Sequence, residues 1–210
     1  MHLPEPQVRR LFAVTSALLR YPDALLIEQL PAITAAVADM PRPIVAGVEQ
    51  TVQWLGSRSL LDAQSHYVEL FDRKRRACLY LSYFLNGDTR RRGMALVEFK
   101  DLYRGAGWEP TGEELPDFLP TVLEFCAIGD VEQGATALAA HRSGIEVLRQ
   151  ALADAGSAYQ GVVAALLEVV DADDASEERF LQLVQAGPPT ETVGLDPFIP
   201  VEALGIGAHR

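Results

Sequence analysis

Apolar positions recur three and four residues apart along almost the whole chain, the spacing of helices that bury one face. Val8, Leu11, Phe12, Thr15, Leu18 and Leu19 share such a face, and Tyr21-Pro22 ends the helix. Asp23 is placed to cap a second helix through Leu25, Leu26 and Leu30, where Pro31 either kinks the helix or opens a new turn with Ile33 and Val37. Pro43 suits a first helical turn, and Ile44, Val45, Val48, Val52 and Leu55 continue the period to Gly56. Ser59 and Asp62 have the form of a capping box for a helix carrying Leu60, Gln64, Tyr67 and Phe71.

The run LYLSYFL at 79–85 is apolar all round. Periodicity does not separate helix from buried strand there; with helices on both sides and no alternating segment to pair with, a buried helix is predicted. Asn86-Gly87 ends it, Asp88 or Thr89 caps the next, and Ala95, Phe99, Leu102, Tyr103 and Ala106 form a stripe closed by Gly105 and Gly107. In ELPDFLP the register is fixed by Pro120, tolerated only in a first turn. That makes Asp117 the N-cap and sets Phe118, Val122, Phe125 and Cys126 along a face. Asp130 with Gln133 caps a helix through Leu138 whose pattern runs on to Ile145, Leu148 and Leu152, bent at Gly144. Ser157 with Gln160 opens the cleanest amphipathic segment, through Val162, Val163, Leu166, Leu167 and Val170, and Phe180, Leu181 and Val184 make a short last helix. Beyond Gly187 the period is lost. The pattern predicts an all-α fold, a single compact helical domain of about nine to eleven helices over residues 1–187. A flexible or loosely docked tail is expected at 188–210.

Composition narrows the function. The 210 residues are 49% hydrophobic and 22% charged, an ordinary globular balance. MHLPEPQVRR lacks the apolar run of a secretory signal, and no window is long and apolar enough to span a membrane. Cys78 and Cys126 lie in apolar surroundings and read as buried thiols of a reducing compartment, so the cytoplasm is the expected location. The four histidines are scattered, so no zinc or iron site is expected. No phosphate-binding loop or nucleophile motif occurs, and nothing marks the chain as an enzyme.

Charge is distributed unevenly. Arg73, Lys74, Arg75, Arg76, Arg90, Arg91 and Arg92 are opposed locally only by Asp72 and Asp88, within a chain of net charge −11. The overall negative charge argues against nucleic acid. These cations are first of all structural partners for surplus carboxylates, and secondly contacts for an anionic ligand. Glu113, Glu114, Asp117, Glu124, Asp130 and Glu132 form an acidic stretch. These residues are either helix caps and solvated carboxylates, or an acidic rim beside an apolar groove lined by Tyr67, Phe71 and Phe118. Such a rimmed groove would suit an amphipathic peptide with basic residues. A helical enzyme or small-molecule binder using paired carboxylates is the competing class.

Three strings carry a more specific signal: YVELFD at 67–72, GDTRRRG at 87–93, and ELPDFLP followed by VLEF at 114–125. In this order they resemble the NarJ family of nitrate reductase assembly chaperones, within the molybdoenzyme chaperones that include TorD and DmsD. The resemblance implies a helical chaperone with no catalytic site. It would bind the N-terminal segment of the nitrate reductase catalytic (alpha) subunit in the cytoplasm and keep the apoenzyme competent for molybdenum cofactor insertion before membrane docking. No cofactor would be bound permanently; contact with the molybdenum cofactor would be transient, and cofactor delivery proteins are further partners. Neither nucleic acid nor integral membrane association is implied. The carry-over nominates Tyr67, Glu69, Leu70, Phe71, Asp72, Glu114, Pro116, Asp117 and Phe118 for peptide binding. It leaves Arg75, Arg76, Arg90, Arg91 and Arg92 as structural or anion-contacting candidates. Related chaperones often have histidine after the Pro-Asp pair, where this chain has Phe118, so no role of that histidine transfers.

Overall fold

The computed structural model describes residues 3–86, 90–172 and 175–186. The proposed tail and the turn at 87–89, with Asp88 and Thr89, lie outside the described residues. Eleven α-helices occur among the described residues. They are α1 (Glu5–Leu18), α2 (Ala24–Val37), α3 (Arg42–Gly56), α4 (Leu60–Tyr67), α5 (Leu81–Asn86) and α6 (Arg90–Gly105). The remainder are α7 (Leu119–Ile128), α8 (Val131–Ala140), α9 (Arg142–Asp154), α10 (Tyr159–Leu167) and α11 (Ser176–Ala186). All-α architecture is therefore as the periodicity predicts.

Two helices form the centre because most of their residues are apolar and buried. α7 buries Leu119 through Leu123 with Phe125 and Cys126, and packs mainly on α1 and α8. α10 buries Val162, Val163, Ala165 and Leu166, and packs on α3 and α9. The α3–α10 crossing is close because glycines face each other. A Cβ placed on Gly161 would lie 2.5 Å from the Gly47 carbonyl oxygen. Beside them Thr51 Oγ1 donates to the Ala158 carbonyl at 2.9 Å and accepts from the Val162 N–H at 3.3 Å.

Several helix starts follow the local signals. Asp23 accepts from the Leu26 N–H at 2.7 Å, Ser59 from the Asp62 N–H at 3.1 Å, and Asp130 from the Gln133 N–H at 3.0 Å. Pro31 sits inside α2 without ending it. The bend expected at Gly144 is instead a break at His141, between α8 and α9. Tyr159 opens α10 after Ala158, and the Ser157 hydroxyl accepts from the Tyr159 N–H at 3.3 Å rather than from Gln160.

Two departures from the predicted helices bear on the candidate site. LYLSYFL is not helical throughout: Leu79 and Tyr80 are extended, Tyr80 pairs antiparallel with Phe118, and only from Leu81 does the chain coil. The partner segment missing from the sequence reading is the stretch just before α7. The Leu119 N–H donates to the Leu79 carbonyl at 2.7 Å and the Leu81 N–H to the Asp117 carbonyl at 3.0 Å. The second departure is a π-turn at Val68–Asp72, continuing α4.

Candidate functional site: an aromatic groove with carboxylates at its edge

The π-turn decides which side chains share a face. Residues i and i+5 are about 140° apart around an α-helix of 3.6 residues per turn. A turn closed by i→i+5 bonds spends an extra residue per circuit and brings residue i+5 back near residue i. Here the Arg73 N–H donates to the Val68 carbonyl at 3.2 Å, and Asp72 joins Tyr67 and Phe71 on one cavity. That cavity, about 570 Å³, is also lined by Tyr80, Glu114 and Phe118, and by Arg20, Tyr21, Asp23 and Leu25 from the corner between α1 and α2.

Aromatic contacts make the floor rigid. Tyr67 meets Phe71 at 4.6 Å and Tyr21 edge-on at 5.5 Å between ring centroids. Phe71 in turn meets Tyr159 edge-on at 5.1 Å, tying the groove to the buried α10. The Tyr67 hydroxyl donates to the Leu19 carbonyl at 3.0 Å, closing the α1–α2 corner against α4. On the other wall Tyr80 and Phe118 are 5.4 Å apart, and the Tyr80 hydroxyl donates to Glu114 Oε2 at 2.8 Å. Tyr21 and Leu25 remain 51% and 59% exposed, so the groove carries apolar surface open to an apolar guest.

The electrostatics favour a basic guest. Among the described residues Asp23, Asp72 and Glu114 line the groove against one cation, Arg20, which is itself paired with Glu124. Burial pushes the Tyr67 hydroxyl well above the usual tyrosine range, with further upward pressure from Tyr159 and then from the Asp72 and Glu114 charges. Burial and the hydrogen bond to Glu114 raise Tyr80 as well. Both phenols therefore stay protonated as hydrogen-bond donors.

Of the nominated residues, Tyr67, Phe71, Asp72, Glu114 and Phe118 meet on this groove. The other four do not line it. Leu70 points into the core, Glu69 pairs with Arg73 at the surface, and Pro116 lines a neighbouring cavity. Asp117 is fully buried, and it is not the cap of α7, whose N-cap is Phe118 with no side-chain bond. Its Oδ2 accepts from the Ser82 N–H at 3.1 Å and from Ser82 Oγ at 2.6 Å, so it caps α5 from across the bridge. The acidic stretch is likewise divided: Glu124 pairs with Arg20 and Asp130 caps α8, leaving Glu114 on the groove. The α1–α2 corner was missed because nothing local to Arg20–Leu25 signals that it faces residues near 70.

The cations lie around the site in separate roles. Arg92 stands over the Tyr80 and Tyr83 rings, 5.7 Å from each centroid. Arg76 donates to the Val184 carbonyl at 3.4 Å, and Arg75, Arg90 and Arg91 are exposed. Among the described residues no three histidine, cysteine or acidic side chains are grouped to hold a metal ion, and no helix is long and apolar enough to cross a membrane.

With this geometry in hand, residues 38–165 match the profile of the family described as nitrate reductase delta subunit. The chain belongs to that family. Over 161 residues it is 31% identical to the probable nitrate reductase molybdenum cofactor assembly chaperone NarJ of Bacillus subtilis, covering 76% of this chain and 88% of that one. It is 36% identical over 117 residues to the nitrate reductase molybdenum cofactor assembly chaperone NarJ of Escherichia coli, covering 54% and 50% respectively. It is also 38% identical over 156 residues to the nitrate reductase-like protein NarX of Mycobacterium tuberculosis, 74% of this chain but 24% of that protein. In this member of the delta subunit family, both groove strings, 67–72 and 114–118, fall inside the matched stretch, while the α1–α2 corner precedes it.

Proposed function

We propose that this chain is an assembly chaperone for a respiratory nitrate reductase. It binds the N-terminal segment of the catalytic subunit in the cytoplasm and keeps the apoenzyme competent for molybdenum cofactor insertion before membrane docking. One observation carries the reading: strings more than forty positions apart converge, placing Tyr67, Phe71 and Asp72 opposite Glu114 and Phe118 on one groove. Apolar residues of an amphipathic guest would leave water against the aromatic floor, and its basic residues would meet Asp72 and Glu114. Affinity comes from the first contact and orientation from the second. The relatives named as assembly chaperones support the same reading.

The chain performs no reaction in this account. Asp72 and Glu114 are both exposed at the groove's edge rather than enclosed together, as suits charge recognition better than acid–base chemistry. Exposed Arg90 and Arg91 begin α6 and are the cations that an anionic molybdenum cofactor, or the protein delivering it, would meet in transit.

Calorimetric titration with a synthetic peptide of the client's N-terminal segment tests the proposal. Saturable one-to-one binding, weakened by Asp72→Asn with Glu114→Gln, is expected. Absence of binding, or affinity unchanged in the folded double variant, overturns it.

A further inference from the structure

A second cavity of about 550 Å³ shares Glu114 with the groove. It is bounded by Lys100 and Arg104 of α6, by Trp108 and Pro110, and by Glu114 and Pro116. We propose that it is a second subsite for the client polypeptide, taking an extended stretch contiguous with the residues held in the aromatic groove; this rests on the function proposed above.

The partition between the cavities is fixed from both sides. On the first, the Tyr80 hydroxyl holds Glu114 at 2.8 Å; on the second, the Tyr103 hydroxyl donates to the Pro116 carbonyl at 2.5 Å. Trp108 is mounted as firmly. Gly107 takes φ +66°, a conformation that turns the chain out of α6 and favours glycine. The Trp108 N–H then donates to the Tyr103 carbonyl at 2.9 Å. The indole packs edge-on against Tyr103 at 4.9 Å and tilted against Phe125 at 5.4 Å, yet remains partly exposed. A rigid aromatic face flanked by prolines is the surface on which an extended apolar or proline-containing segment docks at little entropic cost.

Charge identifies the occupant as polypeptide rather than a small anion. Lys100 and Arg104 sit one turn apart on α6, Arg104 also donating to Asp101 at 2.5 Å, while Glu109 and Glu114 line the same cavity and would repel a free anion. A chain can satisfy both signs in sequence. A basic residue lies at Glu114, an apolar residue or proline on Trp108, and an acidic residue beside Lys100 and Arg104. Glu114 borders both cavities, so a chain that bonds Glu114 has residues on either side of it within reach of each.

Two client peptides that begin at the same residue, about 10 and about 20 residues long, separate the subsites, since each extended residue adds ~3.3 Å of reach. The longer should bind about tenfold more tightly, a gain that a single aromatic anchor can supply. Trp108→Ala should erase the gain and leave the short peptide's affinity unchanged. Lys100→Glu with Arg104→Glu, both on exposed positions, should weaken only the longer peptide. In a Trp54→Phe background, Trp108 fluorescence should shift with the longer peptide alone. Equal affinities for the two peptides, or a gain that survives both sets of substitutions with unmoved emission, overturn the second subsite while leaving the groove in place. Failure of both peptides to bind removes the groove reading and this one together.

Discussion

Asp117 and Ser82, thirty-five positions apart, form a two-pronged hydrogen bond: one carboxylate oxygen accepts both the backbone N–H and the hydroxyl of Ser82. The pair fastens the start of α5 to the segment entering α7, and so fixes Tyr80 opposite Phe118 on the groove wall. Asp117 thereby supports the groove wall while lying buried outside the groove lining.

Asp117→Ala should cost about 2–4 kcal/mol, because it strands a buried N–H and a buried hydroxyl. Ser82→Ala, which removes only the hydroxyl bond, should cost about 1 kcal/mol. Urea midpoints at constant slope would measure both. Asp117→Asn retains an acceptor of the same shape, so its folded form should bind client peptide as the unaltered protein does.

Asp72→Asn and Glu114→Gln should behave in the opposite way. Both side chains are exposed, so stability should change by less than about 0.5 kcal/mol each. Affinity for a basic peptide should fall about two- to fivefold per substitution, the range of exposed ion pairs. The loss should shrink as salt screens the charges, which titrations at low and high ionic strength would reveal.

Gly161→Ala should destabilise the protein by roughly 1–3 kcal/mol through overpacking. The atom met by the new methyl is the Gly47 carbonyl oxygen, a backbone group that cannot rotate away. Thermal unfolding of this variant should show a lowered midpoint with the groove chemistry untouched.

Mild acid should weaken the fold through two half-buried histidines. Burial holds His141 below the ordinary histidine range, against smaller upward pulls from its bond to the Ala137 carbonyl and from the Asp117 and Glu98 charges. His66 is lowered too, by burial and then by Lys74 and Arg58. A depressed histidine binds its proton more readily in the unfolded chain. Stability is therefore complete above the unfolded pKa of about 6.5 and declines as pH falls from there towards the folded values. Urea midpoints should drop between about pH 7 and pH 5, and His141→Gln should flatten part of that slope.

Much of the helical plan could be read locally. Asp23, Ser59 and Asp130 bond the N–H groups three residues on, an interaction complete within four residues of chain. Pro120 falls in the first turn of α7, as its missing N–H requires. Asp117 shows where that logic stops: its nearest helix start was α7, but its partner belongs to α5, and only the tertiary pairing of Tyr80 with Phe118 brings them together. The π-turn has the same character, since YVELFD satisfies helical spacing and the surplus residue shows only in the winding. Aromatic and acidic patterning pointed to Tyr67, Phe71, Phe118 and Glu114, and the family resemblance added Asp72, all of which line the groove, while the α1–α2 wall, held by the Tyr67 bond to Leu19, required the fold itself.

The tether between Tyr80 and Glu114 also bears on which cation the groove would prefer. One carboxylate oxygen already serves the phenol. A guanidinium seeking both oxygens in a parallel fork must share or break that bond, whereas an ammonium group can settle on the remaining oxygen as a point charge. At this position, lysine in the guest is the less disruptive fit.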